Sequence, residues 1–370
     1  MNREELFDII RQFRLEGTVQ EVKPLGSGLI NDTFLVTTSE ADAPDYVLQR
    51  INHTIFTDVE MLQHNIEAVT RHLRQKLEAE GCTDIRRHVM QFVSTRAADG
   101  KTYHFDGQSY WRVSVFIPNS MTLSEVTPAT SYDAGRAFGH FEQQLTDLPE
   151  KLGETIPDFH NMELRLRQLR EAVSRNTAGR VGTVREELAM IDQYADEMCQ
   201  AERLYREGLL PKRICHCDTK VNNMLFDASA SGDKKSSSVL CVIDLDTVMP
   251  SFVFSDYGDF LRTAANTVAE DDSNYDRIDF RWDIYEAFTR GYLESAGSFL
   301  TPIEVEHLPY AVALFPMMQA VRFLADYLNG DVYYKISYPD HNLVRTRNQL
   351  RYFQCVKARQ DDMMQFTKSI

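Results

Sequence analysis

The segment that most limits what this chain can become is Ile214-Cys-His-Cys-Asp-Thr-Lys-Val-Asn-Asn-Met-Leu-Phe226, followed after a polar insert by Val239-Leu-Cys-Val-Ile-Asp-Leu-Asp246. Two apolar runs of strand character flank one polar loop, and in that loop His216, Asp218 and Asn223 stand in the spacing H-x-D-x-x-x-x-N. The second run carries Asp244 near its end. On a regular strand Asp246 would face the same side as Asp244. The insert from Ala228 to Ser238 has no apolar periodicity and reads as a hairpin tip without chemistry.

A length of 370 residues exceeds one ordinary compact core and predicts two packed units. Hydrophobic residues at 43% and charged residues at 26% supply enough apolar surface for folding and exclude long disorder. The balance of 40 Lys and Arg against 55 Asp and Glu, formally −15, argues against a general binder of nucleic acid or anionic membrane. Six cysteines spread along the chain fit reduced thiols, and the charged amphipathic start MNREELFDIIRQF lacks the apolar run of a signal peptide. A soluble, cytoplasmic protein is the expectation.

Alternation and turn residues predict strands over Val19 to Thr38, joined at Gly26 and Gly28, and over Tyr46 to Ile51. A helix over Asp58 to Glu80 follows, with Val59, Leu62, Ile66, Val69 and Leu73 on one face, and then strands over Val89 to Ser94, Thr102 to Phe105 and Tyr110 to Ile117. The pattern turns helical after Pro118-Asn119 and, outside the hairpin described above, remains so to the C-terminus. The expected fold class is α+β: a small antiparallel β-rich unit with one helix, residues 1–118, and a larger, mainly α unit, residues 119–370.

Oxygen ligands beside a free carboxylate suit phosphoryl transfer, in which a metal must be held against phosphates and an acceptor oxygen aligned for in-line attack. Asn223 and Asp244 can supply magnesium ligands, and Asp218 can accept the hydrogen bond of an attacking hydroxyl. Cys215, His216 and Cys217 are not a metal set, because neighbours on an extended strand point to alternate faces. Asp256, in SDYGDFLR, reads as a helix-start residue that braces the loop, and Asp259 as a solvated or helix-start carboxylate.

On the strings GSGLINDTF, YVLQRIN, HCDTKVNNMLFD, VIDLDTVMP and SDYGDFLR the chain resembles the aminoglycoside phosphotransferase and choline kinase superfamily, and within it the N-acetylhexosamine 1-kinase branch. The resemblance implies a protein-kinase-like two-lobed fold, ATP as co-substrate with Mg2+, and phosphorylation of the anomeric hydroxyl of N-acetylglucosamine or N-acetylgalactosamine. Carried over by position, Asp218 is the catalytic base and contacts substrate, and Asn223 and Asp244 hold the metal. Gly26, Ser27, Gly28, Asn31 and Thr33 form the loop over the triphosphate, and Phe116 and Ile117 lie at the hinge. Arg322 in AVRFLADYL and Tyr333 in GDVYYKI are assigned to the sugar, and Asp246, two residues beyond Asp244, to a second metal or the sugar. The usual strand lysine has no counterpart, so Gln49, on the face of Val47, is read as a neutral phosphate donor. The alternatives are a kinase of choline, homoserine or an aminoglycoside, and a nucleotide-binding protein of this fold without turnover.

Overall fold

A computed structural model describes residues 3–26, 30–123, 126–229 and 239–370. The N-terminal region starts with α1 (Arg3–Ile10), then β1 (Val19–Pro24), β2 (Asp32–Thr38), β3 (Tyr46–Ile51), α2 (Val59–Ala79), the single turn α3 (Ile85–His88), β4 (Tyr103–Phe105) and β5 (Tyr110–Val115). These strands form one antiparallel sheet in the order β1-β2-β3-β5-β4. One face, with Val36, Tyr46, Leu48, Trp111 and Val113, is covered by Leu6, Ile9, Ile10 and Phe13, the apolar stripe of α1 and its end. Alternation therefore sends Thr33, Gln49 and Arg112 to the opposite face. The predicted strand over Val89 to Ser94 is instead a single bridge, Phe92 to Ser114, beside β5.

Helix α2 opens on Asp58, whose carboxylate accepts the Met61 N–H at 2.9 Å. Its apolar side packs Leu62, Ile66 and Val69 with Phe141, Leu145, Leu245 and Val248 of the C-terminal region. Asn65 ties the same helix to Val248 and Gly153 through its amide, at 3.0 and 2.8 Å.

The C-terminal region adds β6 (Ser120–Met121), α4 (Pro128–Gln144), α5 (Met162–Arg175), α6 (Arg185–Met198), α7 (Gln200–Arg206), β7 (Arg213–Cys215), β8 (Met224–Asp227), β9 (Val239–Val242) and β10 (Met249–Ser251). It ends with α8 (Phe254–Ala264), α9 (Trp282–Ala296), α10 (Pro302–Glu306), α11 (Leu308–Asn329), α12 (His341–Lys357) and α13 (Gln360–Ser369). The apolar α11 is the central core helix, buried along nearly its whole length. Helices α4 and α9 touch backbone to backbone, and a Cβ at Gly291 would lie 2.1 Å from the Tyr132 carbonyl oxygen. The fold is α+β and kinase-like, an antiparallel sheet region followed by a helix-rich one.

Candidate active site

Strands β7 and β10 pair at Cys215 and Met249, and β8 pairs with β9, so the polar loop predicted from sequence is carried between two small sheets. Its backbone is held from below. Asp256, fully buried in the first turn of α8, accepts the N–H groups of His216 and Cys217, each at 2.7 Å. Thr219 Oγ1 donates to the Asp256 carbonyl oxygen, and Thr247 Oγ1 to that of His216, both at 2.7 Å. Asp256 caps no helix end; its carboxylate is the brace. Beneath it Glu142 is fully buried, with Tyr292 donating to it at 2.5 Å. Burial, and then the charge of Asp256, push the Glu142 carboxyl well above the usual carboxylate range, and burial raises that of Asp256 as well.

His216 sits between the rings of Phe138 and Phe141 with no exposure. Its Nε2 donates to the Ile243 carbonyl oxygen at 2.8 Å and its Nδ1 accepts the Asp218 N–H at 3.2 Å, so it fastens Asp218 to the Asp244 segment. A second tie, from the Ile243 N–H to the Asn223 carbonyl oxygen at 2.9 Å, runs beside it. The Asp218 carboxylate touches Lys220 Nζ at 2.5 Å and accepts from the Asn223 amide at 3.2 Å. Burial alone would raise this carboxyl, but Lys220, His216 and Asn223 outweigh it and hold it below the usual carboxylate range. Asp218 is therefore a charged acceptor at neutral pH.

Asp244 does not end a regular strand. It has φ 62, in the left-handed region, and the following Leu245–Thr247 form a 3-10 turn. The expectation that Asp244 and Asp246 face the same side as strand neighbours fails for that reason. Asp244 opens on to the cleft, while Asp246 is 4% exposed and turned toward the sheet. Asp246 Oδ1 lies 2.6 Å from Arg112 Nη2 as an ion pair outside hydrogen-bond geometry, and its Oδ2 accepts from Asn31 Nδ2 at 2.7 Å. Desolvation, followed by the charges of Asp246 and Asp218, pushes the Asp244 carboxyl up to about 6. Asp244 has no ion-pair partner among the described residues, and the Asn223 amide donates through its nitrogen, leaving the carbonyl oxygen. Two oxygen donors, one of them a carboxylate without an ion-pair partner among the described residues, fit a hard divalent cation.

The remaining predicted residues are placed as follows. Gly26 has φ 69 with open space above it, which requires glycine; Ser27 and Gly28 lie outside the described residues. Asn31 bridges Asp246 and the Asn52 N–H, the latter at 2.9 Å. Thr33 and Gln49 are partners in register on β2 and β3, and Gln49 donates to Thr33 Oγ1 at 3.4 Å while accepting from Arg112 Nε at 2.9 Å. At the hinge, the Phe116 N–H is taken by the Asp45 carbonyl oxygen at 2.8 Å and the Ile117 carbonyl oxygen by Ser120 at 2.7 Å.

Arg322 lies over Phe159, 5.2 Å from the ring centroid, and over Tyr334 at 5.7 Å, and it donates to Gln319 at 3.1 Å. Phe159 packs against the cluster of Cys215, Cys217 and Met249, which places this side next to the polar loop that carries Asp218. Tyr333 is 58% exposed, on a loop whose N–H groups at Val332, Tyr333 and Tyr334 all bond to buried Asp326. No contact joins Tyr333 to the catalytic loop among the described residues.

Four residues escaped the sequence reading. Lys220 stands inside the quoted string, two places from Asp218, and its charge was the available signal. Arg112 sits among the alternating Trp111, Val113 and Val115, which place it on the opposite sheet face. Arg165 and Asp326 left no local signal. Asp259, expected to be solvated, is 6% exposed and paired with Arg262 at 2.8 Å. A cavity of about 360 Å³ between α2, α4 and β9 lies behind the site and includes none of the predicted site residues.

Three solved structures of similar fold cover nearly the whole chain. An amicoumacin kinase in complex with AMP-PNP, Ca2+ and Ami matches with TM-score 0.61 and 14% identity, over 95% of this chain and 93% of its own. A microcompartment-associated aminopropanol kinase matches with TM-score 0.61 and 16% identity over 98% and 99%, and a choline kinase from Cryptosporidium parvum Iowa II with 0.60 and 15% over 98% of both. Residues 21–293 match the phosphotransferase enzyme family, a span that contains the catalytic loop, its brace and the sheet above it, and the chain belongs to that family.

Proposed function

We propose that the protein is a cytosolic, ATP- and Mg2+-dependent kinase that phosphorylates the anomeric hydroxyl of an N-acetylhexosamine, N-acetylglucosamine or N-acetylgalactosamine, to give the sugar 1-phosphate and ADP. The observation that carries the acceptor class is the charge beside the catalytic loop. Arg322 and Arg165 lie close enough to perturb each other, and neither makes an ion pair with a carboxylate among the described residues of a chain of net charge −15. Arg165 donates to the Phe159 carbonyl oxygen at 2.5 Å and to Gln168 at 3.0 Å, and burial, then Arg322, lower its guanidinium to about 10. Between them His160 is stacked on Phe159 and held neutral by burial and Arg322.

Guanidinium groups without acid partners favour a ligand rich in oxygen acceptors and repel a cation. Choline and aminopropanol, the acceptors named for two similar structures, carry positive charge, and a sugar with an amide carbonyl does not. The string resemblance to the N-acetylhexosamine branch points the same way. The six free cysteines agree with a reducing compartment.

In the reaction the anomeric oxygen attacks the γ-phosphorus as the bond to the β–γ bridging oxygen breaks, and the hydroxyl proton passes to Asp218. Because Asp218 is held charged, it orients the hydroxyl first and takes the proton as the new bond forms. Asn223 and Asp244 would hold the metal, which neutralises charge developing on the phosphates. Lys220 keeps the Asp218 carboxylate in place at 2.5 Å.

The test is Mg2+-dependent ADP release across N-acetylhexosamines, simple hexoses, choline, homoserine and aminoglycosides, with Asp218→Asn as control. Release with N-acetylhexosamine alone, lost in the control, is the expected result. Turnover of an amine acceptor instead would remove the sugar assignment, and ATP binding without turnover on any acceptor would favour a non-catalytic role.

A further inference from the structure

A kinase that lacks the strand lysine still needs a cation where the triphosphate lies, and the sheet supplies one from a different strand. Thr33, Gln49 and Arg112 form a row across β2, β3 and β5, each opposite the next in register, on the face that α1 does not cover. Arg112 is 2% exposed. Its guanidinium is held on two sides, by Gln49 at Nε, 2.9 Å, and by Asp246 at Nη2, 2.6 Å, and it lies 5.6 Å over the Phe92 ring. The third nitrogen, Nη1, is buried and has no hydrogen-bond partner among the described residues.

A buried ion pair is a poor device for stability, since desolvating both charges offsets most of their attraction. It is a good device for presenting one donor in a fixed direction, because the planar fork leaves Nη1 determined once Nε and Nη2 are fixed. We propose that Arg112 is the residue that grips the triphosphate in place of the missing lysine, with Gln49 and Asp246 as positioning residues that hold its guanidinium and leave Nη1 for a phosphate oxygen. This rests on the kinase reading and reassigns two of its residues. Gln49 acts on the nucleotide through Arg112, and Asp246 is the carboxylate partner of that cation, an ion pair that neither Glu60 nor Glu67 of α2 makes among the described residues.

The test is calorimetric binding of adenosine, ADP and ATP, with Mg2+, to the full chain and to Arg112→Lys, Asp246→Asn and the double variant Arg112→Met/Asp246→Asn, which leaves no unpaired buried charge. ADP and ATP should bind about tenfold or more weakly to the double variant, with adenosine within about twofold of the parent. Arg112→Lys should recover part of the ATP affinity, and Asp246→Asn should weaken ADP about threefold to tenfold while sparing adenosine. ADP bound by all variants as tightly as by the parent overturns the proposal, as does an equal loss for adenosine and ADP together with a lowered melting temperature. If the double variant does not fold, Arg112→Lys decides by the same ADP-to-adenosine ratio. A parent chain that binds neither nucleotide nor adenosine overturns both this proposal and the kinase reading, whereas normal parent binding with unselective variants overturns this one alone.

Discussion

The two sides of the catalytic loop treat positive charge in opposite ways. Toward the sheet, Arg112 is closed against Asp246 and Gln49. Toward the helices, Arg322 and Arg165 stand together without an ion-paired carboxylate among the described residues, packed on aromatic rings and backbone carbonyls. The first arrangement needs a fixed geometry before its ligand arrives, because transferring phosphates must meet donors that are already aimed. The second leaves donors for an acceptor molecule to complete. Asp218 is charged and bonded through its N–H to His216, and the cluster of Cys215, Cys217 and Met249 beside it packs against Phe159.

Removing the group in the middle should have the largest effect. Asp218→Asn keeps the size and the Asn223 contact but loses the charged acceptor, and should lower kcat about 10³-fold with little change in the KM for ATP, read by ADP release. A comparable rise in the KM for ATP would mean that Asp218 belongs to the nucleotide side. Next, Arg322→Met should raise the acceptor KM about 10- to 100-fold and leave the KM for ATP unchanged, which tests whether the two cationic groups serve different ligands. If both constants rise together, the division between the sides fails.

Asp256→Asn keeps one acceptor oxygen but sets an amide NH2 against the other loop N–H, so it removes one of the two hydrogen bonds and the buried charge, and should destabilise the fold by about 2–3 kcal/mol, measured by denaturant unfolding. Both KM values should shift in the folded fraction, since the brace lies under both sides. The smallest effect concerns a control region away from both. Burial raises the Asp133 carboxyl to about 6, with Arg136 opposing. A raised carboxyl binds its proton more tightly in the folded state, so the stability it contributes is present below about 4 and is lost as pH rises through about 6. Asp133→Asn should therefore raise the melting temperature at pH 8, with the gain shrinking toward pH 4 and activity unchanged.

Local spacing alone determined the catalytic loop. Asp218 and Asn223 are five residues apart on one turn, so the chain between them limits how far they can separate, and the flanking apolar runs had to become strands for lack of any other burial. The α+β order and the sheet alternation were legible for the same reason, since a period of two or 3.6 survives in one dimension. Tertiary structure alone decided which residues surround that loop. Asp246 was misread because the left-handed turn at Asp244 is a backbone choice made by the packing of Leu245 and Val248 under α2, and it reverses the face that strand alternation assigns. Arg112 reaches Asp246, and Arg322 reaches Phe159, only through strand register and helix packing. Those depend on contacts between distant segments, and no local pattern in either segment records its partner.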